Sequence, residues 1–226
     1  MSMLKPLFFM VVVLVTSLLI SDANATTNKY KSVNIPIESG VQILHKYKKY
    51  IALAYNSIGY KVNFHEVSPG RGLIEVNEGR LDAVILRVDI SDVLTNLIKI
   101  PVPITTGSIM LYCQNDVVCH QSIFDDSTNF IGVIRGSTFS VLYMKNQQAN
   151  TYQVVDNIKM AEMFHKGRLD YILTAEDDRY GRLFKLEDDS YQKLTLRKAS
   201  AYHFVNKKLA HLVPELTVAL QNALNH

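Results

Sequence analysis

Few residues in this sequence are equipped for chemistry, and they are scattered. Cys113 and Cys119 are the only thiols, separated by five residues that include the turn formers Asn115 and Asp116. A metal would need further ligands at fixed spacing, and His120 alone does not supply them. In an oxidising compartment the pair reads as a disulfide closing a short hairpin-like loop, worth about 2 kcal/mol in the chain-entropy model. Anion recognition has more material. Arg87 ends the apolar run 83–86, and Arg71 follows Pro69-Gly70 in a loop before a helix. A guanidinium offers carboxylate or phosphate a planar fork, which lysine does not. Each arginine reads equally as one half of a surface or interlobe salt bridge. Gly136-Ser137-Thr138 opens another helix, where backbone N–H groups favour negative charge and where Ser137 also suits an N-cap. Glu176 is the candidate to meet a cationic group, while the run Glu176-Asp177-Asp178 reads equally as a solvated acidic stretch.

Catalytic signatures are missing. The sequence has no Gly-x-Ser-x-Gly elbow, no His-Glu-x-x-His, no Walker A run and no Gly-x-Gly-x-x-Gly. Its seven histidines lie far apart, none at the i,i+4 spacing of a helical metal site. No cofactor and no metal is expected. The absence of tryptophan weighs against sugar, whose ring faces favour large aromatic platforms, although twelve tyrosines are partial substitutes.

Composition narrows the class. The chain has 226 residues, 48% hydrophobic and 20% charged, with a formal charge of +3. Those values exclude disordered, collagen-like and disulfide-dense chains, and the charge is too small and too dispersed for nucleic acid. From Leu7 to Ile20 run fourteen uncharged residues, after Lys5 and before Ala23-Asn24-Ala25. A membrane-crossing helix takes roughly 20 apolar residues. A basic start, a short apolar run and a small-x-small site therefore read as a secretory signal peptide over residues 1–25, cleaved after Ala25. An uncleaved N-terminal anchor is the alternative. The rest suffices for one large domain or two lobes.

The elements that must position the chemistry are legible in outline. Leu44, Tyr47, Ile51, Tyr55 and Ile58 fall three or four apart, a helix released at Gly59. Tyr60, Val62 and Phe64 alternate with polar residues as a strand. A short helix then runs to Gly79, and 82–88 is the apolar run of a strand buried on both faces. Strand, helix and strand in alternation predict an α/β architecture with largely parallel sheets. An internal echo divides it. Gly79-Arg80-Leu81-Asp82-Ala83-Val84-Ile85-Leu86 is matched by Gly167-Arg168-Leu169-Asp170-Tyr171-Ile172-Leu173, each after an amphipathic stretch. Two such junctions indicate two similarly built lobes. In the second, Phe130–Ile134 and Tyr152–Val155 read as strands and about 139–146 as a helix. The tail carries Leu209, Leu212, Val213, Leu216, Leu220 and Leu224 at helical spacing, with Pro214 kinking it or starting a second segment.

In their order and spacing these pieces resemble bacterial extracellular solute-binding proteins of family 3, typified by periplasmic amino-acid-binding proteins. The resemblance rests on Ile58-Gly59-Tyr60, on Val76-Asn77-Glu78-Gly79-Arg80-Leu81-Asp82-Ala83, on Ile131-Gly132-Val133-Ile134-Arg135-Gly136-Ser137-Thr138 and on Gly167-Arg168-Leu169-Asp170. It implies a two-lobed, type II periplasmic-binding-protein-like fold with the ligand in the cleft. Lobe 1 would comprise 26–110 and 195–226, and lobe 2 would comprise 111–194. It further implies that Gly136-Ser137-Thr138 meets a ligand carboxylate. Two departures stand out. The segment 92–103 holds no arginine where the family's amino-acid receptors carry a carboxylate clamp, and Ala175 stands where they carry an ammonium-binding aspartate. Arg87, Arg71 and Glu176 are the candidate replacements.

The leading expectation is a non-enzymatic, monomeric periplasmic receptor for a small anionic or zwitterionic ligand, serving an ABC permease or a membrane sensor. A dehydratase-like enzyme on the same scaffold would draw its acid or base from Glu176 and His65. A ligand-free interaction protein would keep the fold without the pocket. The export expectation has a direct check: intact mass of the periplasmic protein should give a chain beginning at Thr26, and full-length chain recovered in membranes overturns it.

Overall fold

The computed structural model describes residues 31–89, 95–182 and 191–225. The expected leader and part of segment 92–103 lie outside them. β1 (Lys31–Glu38) and β2 (Tyr60–Val67) form a parallel two-stranded sheet, connected by α1 (Gln42–Ser57). α1 contains neither proline nor glycine and buries Leu44, Tyr47, Ile51, Ala54 and Tyr55 along one face. β1 is an element that the sequence reading did not include, although Val33, Ile35 and Ile37 alternate with polar or proline positions as a half-buried strand should.

α2 (Arg71–Asn77) leads into β3 (Ala83–Val88). Asp82 fastens that junction beside β1: its N–H donates to the Asn34 carbonyl at 2.8 Å, and its carboxylate accepts from the Asn34 N–H at 2.6 Å. The long strands β4 (Leu97–Gln114) and β9 (Tyr191–Asn206) follow the same course in opposite directions. Between them lie β5 (Phe130–Ile134), α3 (Thr138–Met144), β6 (Asn150–Val154), α4 (Asn157–His165), β7 (Tyr171–Asp177) and β8 (Gly181–Arg182). A 3-10 segment, Lys207–Leu212, then precedes α5 (Val213–Leu224), whose first turn contains Pro214. Proline thus starts a new helix, where its missing N–H costs nothing.

The main sheet has seven strands in the order β3-β9-β4-β7-β5-β6, with β8 on β7. The expectation of largely parallel sheets is corrected here. β5 runs parallel to β6 and β7, but β3–β9, β4–β9 and β4–β7 are antiparallel. Two strands that each serve both halves of the molecule leave in one and return in the other, which dictates antiparallel pairing.

Hydrophobic burial divides along β4 and β9. Ile100, Ile104 and Val205 pack with β1, α1 and α5 in one core, whereas Ile109, Leu111 and Cys113 pack with Ile131, Val133 and Leu173 in another. The strands pass between the cores near Gly107, which lies opposite Ala199. The ladder slips between Lys99 and Pro103 and again before Thr105, since prolines at 101 and 103 donate no hydrogen bond. The repeated junctions take the same form: Gly79 (φ 78°) and Gly167 (φ 63°) release α2 and α4 into β3 and β7. Cys113 and Cys119 are joined, with Cα atoms 5.6 Å apart.

Beneath α1 lies a fully buried histidine. His203 Nδ1 is 3.3 Å from the Ile85 carbonyl oxygen, which can only accept, so Nδ1 carries the proton and Nε2 accepts from the Tyr55 hydroxyl at 2.9 Å. Burial pulls its pKa down to about 4. The unfolded chain, titrating near 6.5, binds a proton across this window that the native state refuses. Stability present above pH 6.5 should therefore fall as pH drops towards 4, by roughly 3 kcal/mol if the site behaves independently. Calorimetric midpoints from pH 7 to 4 should drop less steeply in His203→Gln, and identical slopes exclude His203 as the cause.

Candidate functional site

The two cores leave a cavity of about 160 Å³ between them. Its wall is mainly apolar, with Val41, Leu44 and Leu86 on one side facing Ile109, Phe139 and Leu173 on the other. The passing segments of β4 and β9 complete it with Thr105, Thr106 and Ala201. Arg87 is the charged group that organises it. A register shift separates Val84 from Arg87 in the β3–β9 ladder, a bulge of the kind that re-aims a side chain. The guanidinium pairs with the carboxylate of Glu38, the last residue of β1, and Nη1 donates to Thr138 Oγ1 at 2.7 Å. Both ionic side chains are largely withdrawn from water, at 15% exposure for Arg87 and 7% for Glu38. One cation thereby joins β1 and β3 to the start of α3 in the other half.

The remaining expected residues divide. Ser137, Thr138 and Glu176 line the cavity, and so does Arg135. Arg71 stands outside the wall: its side chain is 67% exposed and pairs with Glu75 at 2.9 Å. Gly136 precedes α3 with φ 74° and contributes to the approach of the two halves rather than to the wall. At the start of α3, a helix of seven residues, Ser137 makes no side-chain cap, and its hydroxyl meets Ser140 Oγ at 3.0 Å. Such a short helix has little dipole to offer; what this turn supplies is the Thr138 oxygen that accepts from Arg87.

Glu176 accepts a hydrogen bond from the Tyr112 hydroxyl, and its backbone stands opposite Arg182 in the β7–β8 pair. Burial, reinforced by that carboxylate, raises the Tyr112 pKa well above the usual phenol range. Asp177 accepts the Tyr47 hydroxyl at 2.9 Å and the N–H groups of Arg179 and Tyr180 at 3.0 and 2.8 Å. It ties the end of β7 to α1. His65 lies outside the cavity wall, exposed and 2.9 Å from Asn34 Oδ1, so of the two acid–base candidates only Glu176 lines the cavity. Among the described residues no three His, Cys, Asp or Glu side chains converge as a metal requires. Sequence reasoning missed Glu38. The available signal was a carboxylate closing an apolar alternation, directly before a turn.

No protein-family model matches the chain, and no curated protein matches it in sequence. Solved structures do. The arginine-bound form of truncated ArgBP from T. maritima superposes with a TM-score of 0.67 at 11% identity, over 86% of this chain and 97% of that one. The fold is that of the two-lobed type II periplasmic binding proteins. The GluR0 ligand-binding core complexed with L-glutamate gives 0.66 at 12% identity, over 87% and 94% of the respective chains. A putative L-cystine ABC transporter protein from Listeria monocytogenes gives 0.64 at 14%, over 85% and 89%. The resemblance drawn from the sequence is thus borne out in the fold, at an identity that marks wide divergence. In this type II fold β4 and β9 are the strands linking the lobes, and the cavity is the interlobe cleft.

The Arg87–Glu38 pair can be weighed by a double-mutant cycle in denaturant. Arg87→Ala leaves the Glu38 carboxylate buried without its cation and should cost about 3 kcal/mol. Adding Glu38→Ala should recover part of that loss. Additive losses would show that the two side chains stand independently.

Proposed function

We propose that the protein is a binding protein of the periplasm that encloses a small, mainly aliphatic zwitterion between its lobes and presents it to an ABC permease or membrane sensor. The observation that carries this reading is the Arg87–Glu38 pair set in the wall of a mainly apolar interlobe cavity. A free anion would have to share Arg87 with Glu38 while facing Glu176 and Asp177 in the same wall. A zwitterion answers both members of the pair: its carboxylate takes guanidinium N–H donors, and its ammonium takes a Glu38 oxygen. The apolar wall then receives an aliphatic body, and burial of that body drives binding. Ala175, also in the wall, provides space where the related receptors carry their ammonium-binding aspartate. Fold neighbours that bind amino acids support the class of role.

A second reading has its own observation in favour. Arg87 is satisfied by Glu38 and Thr138 within the chain itself, as in an interaction protein whose lobes need no ligand to hold together. Of the two acid–base candidates of the enzyme reading, only Glu176 lines the cavity.

A thermal-shift series separates these readings, since a ligand preferring the native state raises the midpoint with concentration. Aliphatic amino acids, the matching carboxylates without the amine, and the matching amines form the panel. Amino acids alone should raise the midpoint. An equal rise with carboxylates would make the ligand anionic, and no rise across the panel overturns zwitterion binding in favour of the ligand-free protein.

A further inference from the structure

The lobes also meet through bare backbone. The turn before α2 and the turn before α3 cross at Gly70 and Gly136, both in the left-handed region at φ 78° and 74°. A Cβ built on Gly136 would stand 2.6 Å from the Gly70 nitrogen and 2.8 Å from both Gly70 Cα and the Pro69 carbonyl carbon. Built on Gly70, it would stand 3.1 Å from Gly136 Cα. These are main-chain atoms, so no rotamer change relieves the contact. Neither turn yields readily: Arg71 N–H donates to the Ser68 carbonyl at 3.1 Å, and Ser137 N–H donates to the Ile134 carbonyl at 3.0 Å. A third approach, Gly40 against Asp156, leaves a Cβ 3.1 Å from Asp156 Cβ.

We propose that the Gly70–Gly136 contact is the stop that sets how far the lobes close, and through that the largest ligand the cleft can enclose. Two main chains without side chains allow the nearest approach a polypeptide can make. Thr138 lies two residues beyond Gly136, so the depth of this contact also sets the reach from Arg87 to Thr138 Oγ1. A methyl group at either glycine holds the lobes apart about the β4 and β9 linkers, lengthens that reach and enlarges the cavity. The size limit rests on the cleft being a binding site; the stop itself does not.

The test measures lobe separation with nitroxide labels and adds no ligand. Leu53 on α1 and Ile158 on α4 are exposed, one in each lobe, and the native cysteines are locked in their disulfide. Double electron–electron resonance on Leu53→Cys/Ile158→Cys gives the reference distance. Gly136→Ala should lengthen it, and Gly70→Ala should lengthen it less. Gly167→Ala and Gly59→Ala impose the same positive-φ strain, at 63° and 78°, where a Cβ meets nothing within 4 Å. These two should leave the distance unchanged. Equal distances in Gly136→Ala and Gly167→Ala overturn the proposal. If Gly136→Ala does not fold, Gly70→Ala against Gly59→Ala makes the same comparison, and equal distances there overturn it as well. A thermal-shift panel without hits does not alter this readout, so the two readings fail separately.

Discussion

The Arg87 guanidinium is the interaction on which the arrangement of this molecule turns. A cation held at 15% exposure in an apolar cleft is tolerable only with a carboxylate against it and its other donors occupied. Glu38 supplies the charge and Thr138 an acceptor. To bring them together, β1 must end where β3 bulges, and α3 must begin where the second lobe faces the first. The cavity wall is mainly apolar, and this pair stands in it together with Arg135, Glu176 and Asp177.

Two further features hold the lobes in register around it. β4 and β9 run through both cores and pass from one to the other near Gly107, opposite Ala199. Beside that passage, Asp177 gathers the Tyr47 hydroxyl and two backbone N–H groups at the end of β7. Tyr180 then packs against the first core, its ring 5.2 Å from that of Tyr47. A strand of the second lobe is thus pinned to a helix of the first, close to the linkers, where a rotation displaces atoms least.

Much of the framework could be read from local pattern. The spacing of Leu44, Tyr47, Ile51 and Tyr55 gave α1, the apolar run gave β3, and the twin glycine junctions gave the ends of α2 and α4. β1 was harder to read because Pro36, which donates no hydrogen bond, argues locally against a strand. The parallel sheet was overestimated for a different reason: strand direction depends on which strands become neighbours, and β4 and β9 serve two lobes at once.

What the sequence by itself determined is therefore what short-range physics determines: helices from their 3.6-residue period, junctions from glycine, the disulfide from two cysteines with a turn between them, and Arg87 at the end of a buried strand. Tertiary structure alone decided what those residues do. Arg87 finds Glu38 at 49 positions' separation and Thr138 at 51, Glu176 is taken by Tyr112, and Gly70 meets Gly136. The physical reason is common to all three. A charge or a bare backbone carries no local record of its partner, because that partner is set by which strand ends and turns the two cores bring within a few ångströms of one another.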